Sequence, residues 1–292
     1  MAACFMANSL MHHRIISFFK LLVYQCLLFL TSCGVARNYS EQEMPKFEDT
    51  LANTPSSSSE TLKMVSFNVQ YGNDIEKVIF EFQNRPQLQD ADILMLQEMD
   101  DIGTRQIAEA LHLNYVYYPA VVHPHNGKNF GNAILSKWPI SDSGKLLLPH
   151  QHPINKQQRI AVFAIVTVNK QPIAVYNIHI EVPLLSTAKR LEQIDTALRH
   201  AAKQPVPFSI IGGDLNAVGA DVRTSFSSLF HEYGFEWATA NVGATSKFLM
   251  QLDQLYVKGM SVIDAGAESE IKIGDHYPVW AVVKPYRVVD WY

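Results

Sequence analysis

Short apolar runs recur along most of the chain, separated by polar breaks, and this pattern predicts β-strands. Nine runs rich in Val, Ile, Leu, Tyr or Phe lie at residues 62–69, 92–96, 115–118, 132–135, 160–168, 173–179, 208–211, 252–257 and 279–283. The break from Asn169 to Pro172 is short and predicts a β-hairpin between two of these strands. Nine strands are enough to build two sheets.

Between the strands, apolar residues recur at three- and four-residue spacing, which is typical of amphipathic helices. Four such segments lie at residues 74–88, 102–111, 186–203 and 222–233. In the first of them the apolar positions are Ile75, Val78, Ile79 and Phe82. Helices between strands favour mixed sheets, so the pattern predicts an α/β domain.

The first 32 residues have the layout of a secretion signal. An apolar run at residues 15–30 follows the basic Arg14 and ends in Leu-Thr-Ser before Cys33. This ending resembles the lipobox of bacterial lipoproteins, which implies cleavage before Cys33 and lipidation of its sulfur. An uncleaved anchor is the alternative, but a spanning helix needs about 20 apolar residues, and this run is shorter and is broken by Lys20 and Gln25.

From this ending we expect a lipid-anchored protein of the bacterial cell envelope, at the outer membrane or on the periplasmic face. Residues 33–60 are polar, include four consecutive serines and show no apolar periodicity. Such a stretch buries too little apolar surface to offset its ordering entropy. We therefore predict a flexible tether over residues 33–60 and a single catalytic domain over residues 61–292.

Composition narrows the chemistry of that domain. The chain has 292 residues, of which 48% are hydrophobic, and its formal net charge is −4. All three cysteines lie in the first 33 residues, which excludes cysteine chemistry from the domain. The acidic balance and the lack of a dense Lys/Arg run argue against a protein that binds nucleic acid mainly through its phosphates.

Polar residues that can carry chemistry follow or precede strand after strand. They are Asn68, Glu98, His179, Asp214, Asn216, Asp253, Asp275 and His276. Any one of them alone is more readily explained as turn chemistry. Together, four carboxylates, two amides and two histidines suit a hard divalent cation and a phosphate, because Mg²⁺ prefers oxygen ligands.

These residues also carry a resemblance to a known family. The strings are Ser66-Phe67-Asn68-Val69, Leu96-Gln97-Glu98, Gly131 to Ser136 (GNAILS), Asn177-Ile178-His179, Gly212 to Asn216 (GGDLN), Leu252-Asp253 and Gly274 to Pro278 (GDHYP). Their order and spacing resemble the motif series of the endonuclease/exonuclease/phosphatase (DNase I-like) superfamily over residues 61–286. The resemblance implies a four-layer α/β sandwich, in which two packed mixed β-sheets are flanked by helices.

The resemblance also implies a metal site and phosphoester hydrolysis. Glu98 is implied as the principal ligand of Mg²⁺ or Mn²⁺, with Asn68 beside it and Asp275 taking part. Gln70 stands where some relatives have a carboxylate or a basic residue, which leaves the number of metals open. The metal's task is to polarise the phosphoryl oxygen and to offset developing charge.

The other motif residues receive roles in in-line attack by water. Asp214 is implied to orient and deprotonate the water, and Asn216 to hydrogen-bond a phosphate oxygen. His276, held by Asp253, contacts the phosphate and stabilises or protonates it. His179 would donate to the phosphate or the leaving group.

Two further residues match the family pattern less specifically. Arg159 and Asn132 are expected on the phosphate side of the site or in its scaffold. Arg190 and Gln193, one turn apart on a helix, are interpreted as structural. Four loop histidines, His123, His125, His150 and His152, could suggest a zinc site, but solvated loop residues are the favoured interpretation, because no helical spacing pairs them.

The reaction class is clearer than the substrate, since the superfamily acts on several phosphoesters with nearly the same core. Short loops, acidic charge and the expected envelope location favour a phosphodiesterase or phosphatase acting on a small or lipid-linked substrate. A secreted nuclease of the same fold is the alternative, and so is a metal-free binding module. Nucleic acid is possible as a partner but not favoured. The membrane is expected as a partner through the lipid anchor, and the chain is expected to act as a monomer.

Overall fold

The fold is built from two β-sheets, seen in a computed structural model that describes residues 35–53, 60–124 and 126–286. The first sheet has eight strands: β1 (Arg37–Asn38), β2 (Phe47–Asp49), β3 (Leu62–Asn68), β4 (Ile93–Met99), β5 (Asn114–Val122), β6 (Asn129–Ser136), β13 (Met260–Ala267) and β14 (Val279–Pro285). Their order is β1-β5-β6-β4-β3-β14-β13, and β2 pairs with β5. Strands β3 and β4 are parallel, whereas their outer neighbours β14 and β6 are antiparallel to them, so the sheet is mixed.

The second sheet has six strands: β7 (Ile140–Leu147), β8 (Ile160–Val168), β9 (Gln171–His179), β10 (Phe208–Asp214), β11 (Glu236–Trp237) and β12 (Asp253–Lys258). Their order is β11-β12-β10-β9-β8-β7. Strands β9 and β10 are parallel and the other pairs are antiparallel, so this sheet is mixed as well.

Three apolar clusters separate four layers. The largest cluster lies between the sheets, where Met64 and Met95 of the first sheet face Val175 and Ile210 of the second. A second cluster joins the first sheet to helices α1 (Ile75–Asn84) and α2 (Asp101–Leu111). A third joins the second sheet to α3 (Thr187–Ala201) and α4 (Ala220–Glu232). The predicted four-layer α/β sandwich is confirmed.

One buried polar contact joins the two sheets across the apolar centre. Gln97 Nε2 of β4 donates to Asn177 Oδ1 of β9 over 2.7 Å. The Asn177 side-chain amide in turn donates to the backbone oxygens of Leu96 and Ala133, at 2.8 and 2.7 Å. Both side chains are fully buried. Hydrogen bonds of this kind inside an apolar layer fix the relative position of the layers, because any slip would leave the donors unpaired.

All nine predicted strands and four predicted helices occur, with changes at their ends. The hairpin turn is only Asn169-Lys170, and both residues have positive φ, at 50° and 69°, as expected for a two-residue turn. Helix α1 ends at Asn84 rather than Leu88, because Arg85 precedes a proline and takes an extended conformation. The longer strands missed from the sequence, β7 and β13, are sheet edges in which polar residues interrupt the apolar pattern.

The predicted tether over residues 33–60 is wrong for its described part. Residues 35–53 contribute β1 and β2, which both pair with β5 at the edge of the first sheet. Ala36 is buried in the cluster between the sheets. Polar composition misled the prediction, because short edge strands gain their hydrogen bonds from a neighbour rather than from an apolar face of their own. The folded domain therefore begins well before Thr61.

Lys145 fastens this N-terminal segment to the sheet. Its Nζ atom donates to the backbone oxygens of Met44 and Pro119, at 2.8 and 3.2 Å, and lies 5.6 Å from the centre of the Tyr39 ring. The side chain is 2% exposed. Burial lowers its pKa to about 8, and the charge of Glu41 opposes this only in part.

This shift predicts a pH dependence of stability. Between pH 8 and 10.5 the unfolded chain binds more protons at Lys145 than the folded one, so stability rises with pH in this window. Between pH 7.5 and 9.5 we expect the free energy of unfolding, measured in urea, to rise by about 2 kcal/mol more for the native protein than for Lys145→Met. An equal slope for both proteins would contradict the shifted pKa.

In the described part of the chain, we find no helix of the length and apolarity needed to cross a bilayer. The predicted signal segment and its lipidated Cys33 lie outside the described residues.

Candidate active site

The strand ends of both sheets meet at one edge of the sandwich. In the second sheet Asp214 is in register with His179 on one side and with Asp253 on the other. In the first sheet Asn68 ends β3, and Glu98 lies near the end of the adjacent parallel strand β4. The fold thus gathers the predicted residues from distant parts of the sequence.

Asp214 is the centre of the site. Its Oδ2 atom accepts a hydrogen bond from Asn68 Nδ2 at 3.1 Å and lies 3.4 Å from His179 Nε2 and 3.7 Å from His276 Nε2. Its Oδ1 accepts from the backbone N–H of Asn216 at 2.8 Å. Burial, with the charge of Asp253, raises its pKa to about 6, although His276 and the Asn216 N–H oppose the rise. A carboxylate of this kind can accept a proton near neutral pH.

His276 is held by a second buried carboxylate. Its Nδ1 lies 2.9 Å from Asp253 Oδ2, and the same oxygen accepts from Thr245 Oγ1 at 2.8 Å. Burial alone would lower the pKa of His276, but the charges of Asp253 and Asp214 prevail and raise it to about 10. The imidazole is therefore a cation at neutral pH, fixed so that Nε2 points toward Asp214.

His179 is the opposite case. Burial lowers its pKa well below the usual value, and the positive charges of Arg159 and His276 lower it further. Arg159 Nη1 lies 3.2 Å from His179 Nδ1 and 3.0 Å from Nε2, and Nε2 lies 3.4 Å from Asp214 Oδ2, so a neutral ring can accept a hydrogen bond from Arg159. Arg159 also donates to Glu181 Oε1 at 3.4 Å. The two histidines thus differ in charge because only one has a carboxylate behind it.

Glu98 is placed by an irregularity in β4. The pairing of β4 with β6 shifts register between Leu96 and Met99, and Glu98 has a φ of +60°. A bulge of this kind redirects a side chain, and left-handed backbone in a residue other than glycine is typical of functional positions. Glu98 Oε1 accepts from Asn68 Nδ2 at 3.1 Å and Oε2 accepts from the Tyr71 N–H at 3.2 Å.

The residues present fit a divalent cation. Glu98, Asp214 and Asp275 line one pocket, and burial raises the pKa of both Glu98 and Asp214. A cation would relieve this cost, and the donors are the oxygens that Mg²⁺ prefers. Asn68 is turned so that its oxygen accepts from the Gln70 N–H and its nitrogen faces the carboxylates, which makes it a hydrogen-bond donor in this arrangement.

Among the described residues, Asp214, Asp253 and His276 also lie close enough together to hold a metal ion. In this arrangement His276 Nδ1 and Thr245 Oγ1 already contact Asp253 Oδ2, at 2.9 and 2.8 Å, so these groups are engaged with one another. The more open carboxylate of Glu98 is the better candidate.

Asn216 and Asn132 differ in position. Asn216 lines the pocket, with a φ of +47° and its side-chain nitrogen on the Ile180 oxygen at 3.1 Å. Asn132 is fully buried, and its amide donates to the backbone oxygens of Ile160 and Asn177, both at 3.2 Å. Its place is therefore in the scaffold that joins the sheets, which was one of the two expectations for it.

Several supporting residues were missed or given too little weight. Glu181 is fully buried beside Arg159, and Thr245 orients Asp253, yet neither belongs to a conspicuous motif. Arg190 donates to the Asn216 backbone oxygen at 2.8 Å, and Gln193 accepts from the Glu181 N–H at 2.9 Å. The one-turn spacing of Arg190 and Gln193 on their helix was the sequence pattern that could have indicated that they hold the backbone beside the site.

The loop histidines do not form a cluster in the described residues. His123 is buried, with its ring centre 4.8 Å from that of Tyr71, so its interpretation as a solvated residue is wrong. His150 pairs with Glu192 at 2.6 Å, and His152 accepts backbone N–H groups of its own loop. His125 lies outside the described residues.

Comparison with known proteins agrees with this fold. The profile of the Endonuclease/Exonuclease/phosphatase family matches residues 65–276. Among solved structures, the endonuclease/exonuclease/phosphatase from Beutenbergia cavernae is similar with a TM-score of 0.65 and 18% identity, covering 77% of this chain and 72% of that one. The mannosyl-6-phosphatase Bt3783 of Bacteroides thetaiotaomicron is similar with a TM-score of 0.59 and 16% identity, covering 76% and 99%.

A humanized TDP2 of D. rerio is also similar, with a TM-score of 0.61 and 15% identity, covering 77% of this chain and all of that one. Comparison with curated protein sequences gave no match. The fold and site define a two-sheet sandwich with a carboxylate and histidine centre at one edge. The chain belongs to the Endonuclease/Exonuclease/phosphatase family, whose members are generally phosphoester hydrolases and typically use divalent metals.

Proposed function

We propose that the protein is a divalent-metal-dependent phosphoester hydrolase that cleaves its substrate by in-line attack of water. The observation that carries the proposal is the environment of Asp214. This buried carboxylate, with a raised pKa, lies within 4 Å of a cationic and a neutral histidine. One group that accepts a proton and one that carries positive charge are what hydrolysis by activated water requires.

In this mechanism each side chain has one task. Asp214 accepts the proton of the attacking water, which lies in the pocket between it and the phosphorus. The imidazolium of His276 stabilises the negative charge that builds on the phosphoryl oxygens, and Asp253 keeps it protonated and oriented. His179 and Asn216 bind the phosphate from the other side, and Arg159 holds His179 in place.

Glu98 and Asp275 would hold the metal, with Asn68 hydrogen-bonded to Glu98. When bound, a divalent cation supplies Lewis acidity toward the phosphoryl oxygen. Without it, the carboxylates of Glu98, Asp214 and Asp275 share the pocket with the cations His276 and Arg159, and Arg159 is already paired with Glu181.

Hydrolysis of bis(p-nitrophenyl) phosphate and p-nitrophenyl phosphate by the purified protein tests the proposal. We expect turnover with Mg²⁺ or Mn²⁺ that EDTA abolishes, and the preferred ester separates a diesterase from a phosphatase. No turnover of either ester, together with no metal binding in calorimetry, would favour the metal-free binding module.

Glu98→Gln tests the metal site directly. The change removes the anionic ligand but keeps its shape, so we expect the affinity for Mn²⁺ to fall at least about tenfold in calorimetric titration. Glu109→Gln is the matched control, because Glu109 pairs with Arg105 on the outer surface of α2. Unchanged affinity in Glu98→Gln would place the metal elsewhere.

For the substrate, we propose a small or lipid-linked phosphoester rather than a nucleic acid. Among the described residues that line the pocket, Arg159 is the one arginine and there is no lysine. Seven of the fifteen lining residues are apolar or aromatic. A polyanion is bound through many cations, so its binding weakens steeply with salt. Inhibition by heparin with a steep salt dependence would favour the nuclease instead.

For the location, we propose export and lipidation at Cys33, which the sequence pattern around that residue supports. Metabolic labelling with a fatty acid should mark the native chain and leave Cys33→Ser unlabelled. Labelling of both chains, or of neither, would contradict the proposal.

A further inference from the structure

Exposed apolar side chains collect at the edge that carries the active site. Of the twelve large hydrophobic residues exposed in the described chain, Tyr71, Val218 and Phe248 line the pocket, and Leu184 and Leu249 directly follow the lining residues Pro183 and Phe248. Each follows or precedes a strand that ends in a site residue. Single exposed apolar residues are common on protein surfaces. A group of them around a polar site indicates a surface that binds a membrane, a ligand or another protein.

Three more of the twelve lie at the same edge. Ile102 begins α2 directly after β4, Ile154 lies in the loop before β8, and Val35 precedes β1. The other four, Met44, Phe80, Ile263 and Tyr286, lie away from the ends of the strands that carry the site. Eight of twelve at one edge is a marked asymmetry for a surface of this size.

The most exposed pair is held rigidly. Leu249 is 86% exposed and has a φ of +58°, a conformation that is costly for a leucine. The loop is fixed at its base, where the Lys247 N–H donates to the Asp275 oxygen at 2.9 Å and Tyr277 N–H to the Thr245 oxygen at 2.7 Å. Phe248 and Leu249 are thus displayed outward by the same backbone that positions the site.

The chain also enters the domain at this edge. Arg37 pairs with Val122 at the end of β5, and the pairings across β6 place that end beside the end of β4. Three strand spacings, about 14 Å, separate β1 from β4. Cys33 is four residues from Arg37, so the chain spans at most about 14 Å between them.

We propose that the edge of the sandwich that carries the active site docks on a lipid bilayer, with Phe248 and Leu249 inserted among the lipids. With the lipidation proposed at Cys33, the short connection from that residue to β1, the apolar rim and the loop that carries Leu249 all favour this one occupant. The net charge of −4 favours apolar insertion over electrostatic attraction, so zwitterionic lipid suffices. Docking deepens the proposed function, because it presents the site to phosphoesters in the membrane, but its test does not require turnover.

The test uses the full chain, in which Cys4, Cys26 and Cys33 are replaced by serine so that no native thiol remains. The fluorophore NBD is attached to Leu249→Cys or, as a matched control, to Phe80→Cys, which is 59% exposed on the outer face of α1. Both proteins are added to phosphatidylcholine vesicles in EDTA. Both proteins carry the same N-terminal segment, so any contribution of that segment is common to the two probes.

We expect the emission of the position-249 probe to shift to the blue and rise at least about twofold, and to be quenched by spin-labelled lipid, whereas the position-80 probe stays unchanged. No change at either position, or a change at position 80 alone, would overturn the proposal. A response at position 249 to a soluble alkyl phosphate but not to vesicles would also overturn it and would assign the apolar rim to substrate binding.

Turnover of bis(p-nitrophenyl) phosphate is measured separately on the unlabelled native protein. A membrane-dependent probe signal without turnover would leave docking intact and contradict the proposed hydrolase. Turnover without a membrane-dependent probe signal would support the proposed hydrolase and contradict docking.

Discussion

Asp214→Asn should lower kcat/KM for metal-dependent hydrolysis of bis(p-nitrophenyl) phosphate by about 10³-fold. The substitution can keep the hydrogen bond from the Asn216 N–H but replaces a carboxylate, which can take a proton from water, with a neutral amide, which cannot. General base catalysis contributes about 10² to 10⁴-fold to enzymatic rates, and the expected loss is the middle of that range. The loss should appear mainly in kcat, because the amide still fills the same space.

Asp195→Asn is the matched control for this prediction. Asp195 pairs with Arg199 and accepts from Tyr233 on the outer face of α3, away from the pocket, so its activity should equal that of the native protein. Thermal unfolding of Asp214→Asn should show that the fold is retained. More than a tenth of native activity in a folded Asp214→Asn protein would rule out Asp214 as the base.

Gly213→Ala should lose at least about 3 kcal/mol in the free energy of unfolding. Gly213 has a φ of +144°, and a Cβ atom there would lie 1.8 Å from the backbone oxygen of Ile178 on β9. Backbone atoms of two paired strands cannot move apart without breaking the ladder that positions Asp214 and His179. Urea unfolding of the variant measures the loss.

Gly243→Ala is the control that separates strain from contact. Gly243 also has a positive φ, of 76°, but a Cβ atom there would meet no other atom within 4 Å. Its cost should be about 1 kcal/mol, which is the usual price of a left-handed non-glycine residue. Equal losses in both variants would show that conformation, rather than the approach of Ile178, decides the need for glycine.

Much of the fold could be predicted from the sequence because the central strands are buried on both faces and are apolar throughout. Strands such as β4 and β9 leave no other interpretation of their pattern. The edge strands β1, β2, β7 and β13 lack this apolar pattern and could not be predicted, since their stability comes from a paired neighbour rather than from their own residues. An apolar pattern does not record that kind of support.

The site shows a similar division. The residues that end the strands could be predicted from their motifs, and the structure brings Asp214, His276, His179 and Glu98 into one pocket. The charge of each histidine could not be predicted, because it depends on which neighbour lies behind the ring: Asp253 for His276 and Arg159 for His179. Neither neighbour is close in sequence: the pairing of β8 with β9 brings Arg159 to His179, whereas the packing of the two sheets brings Asp253 to His276.

The hydrogen bond between Gln97 and Asn177 gives this division a mechanical meaning. Gln97 directly precedes Glu98, and Asn177 lies two residues before His179 on the same strand. The separation of Glu98 from His179 is therefore set inside the sandwich, by a hydrogen bond between the two strands that carry them. Loops around the mouth can vary in length and polarity without altering that separation, so a change of substrate need not retune the catalytic geometry.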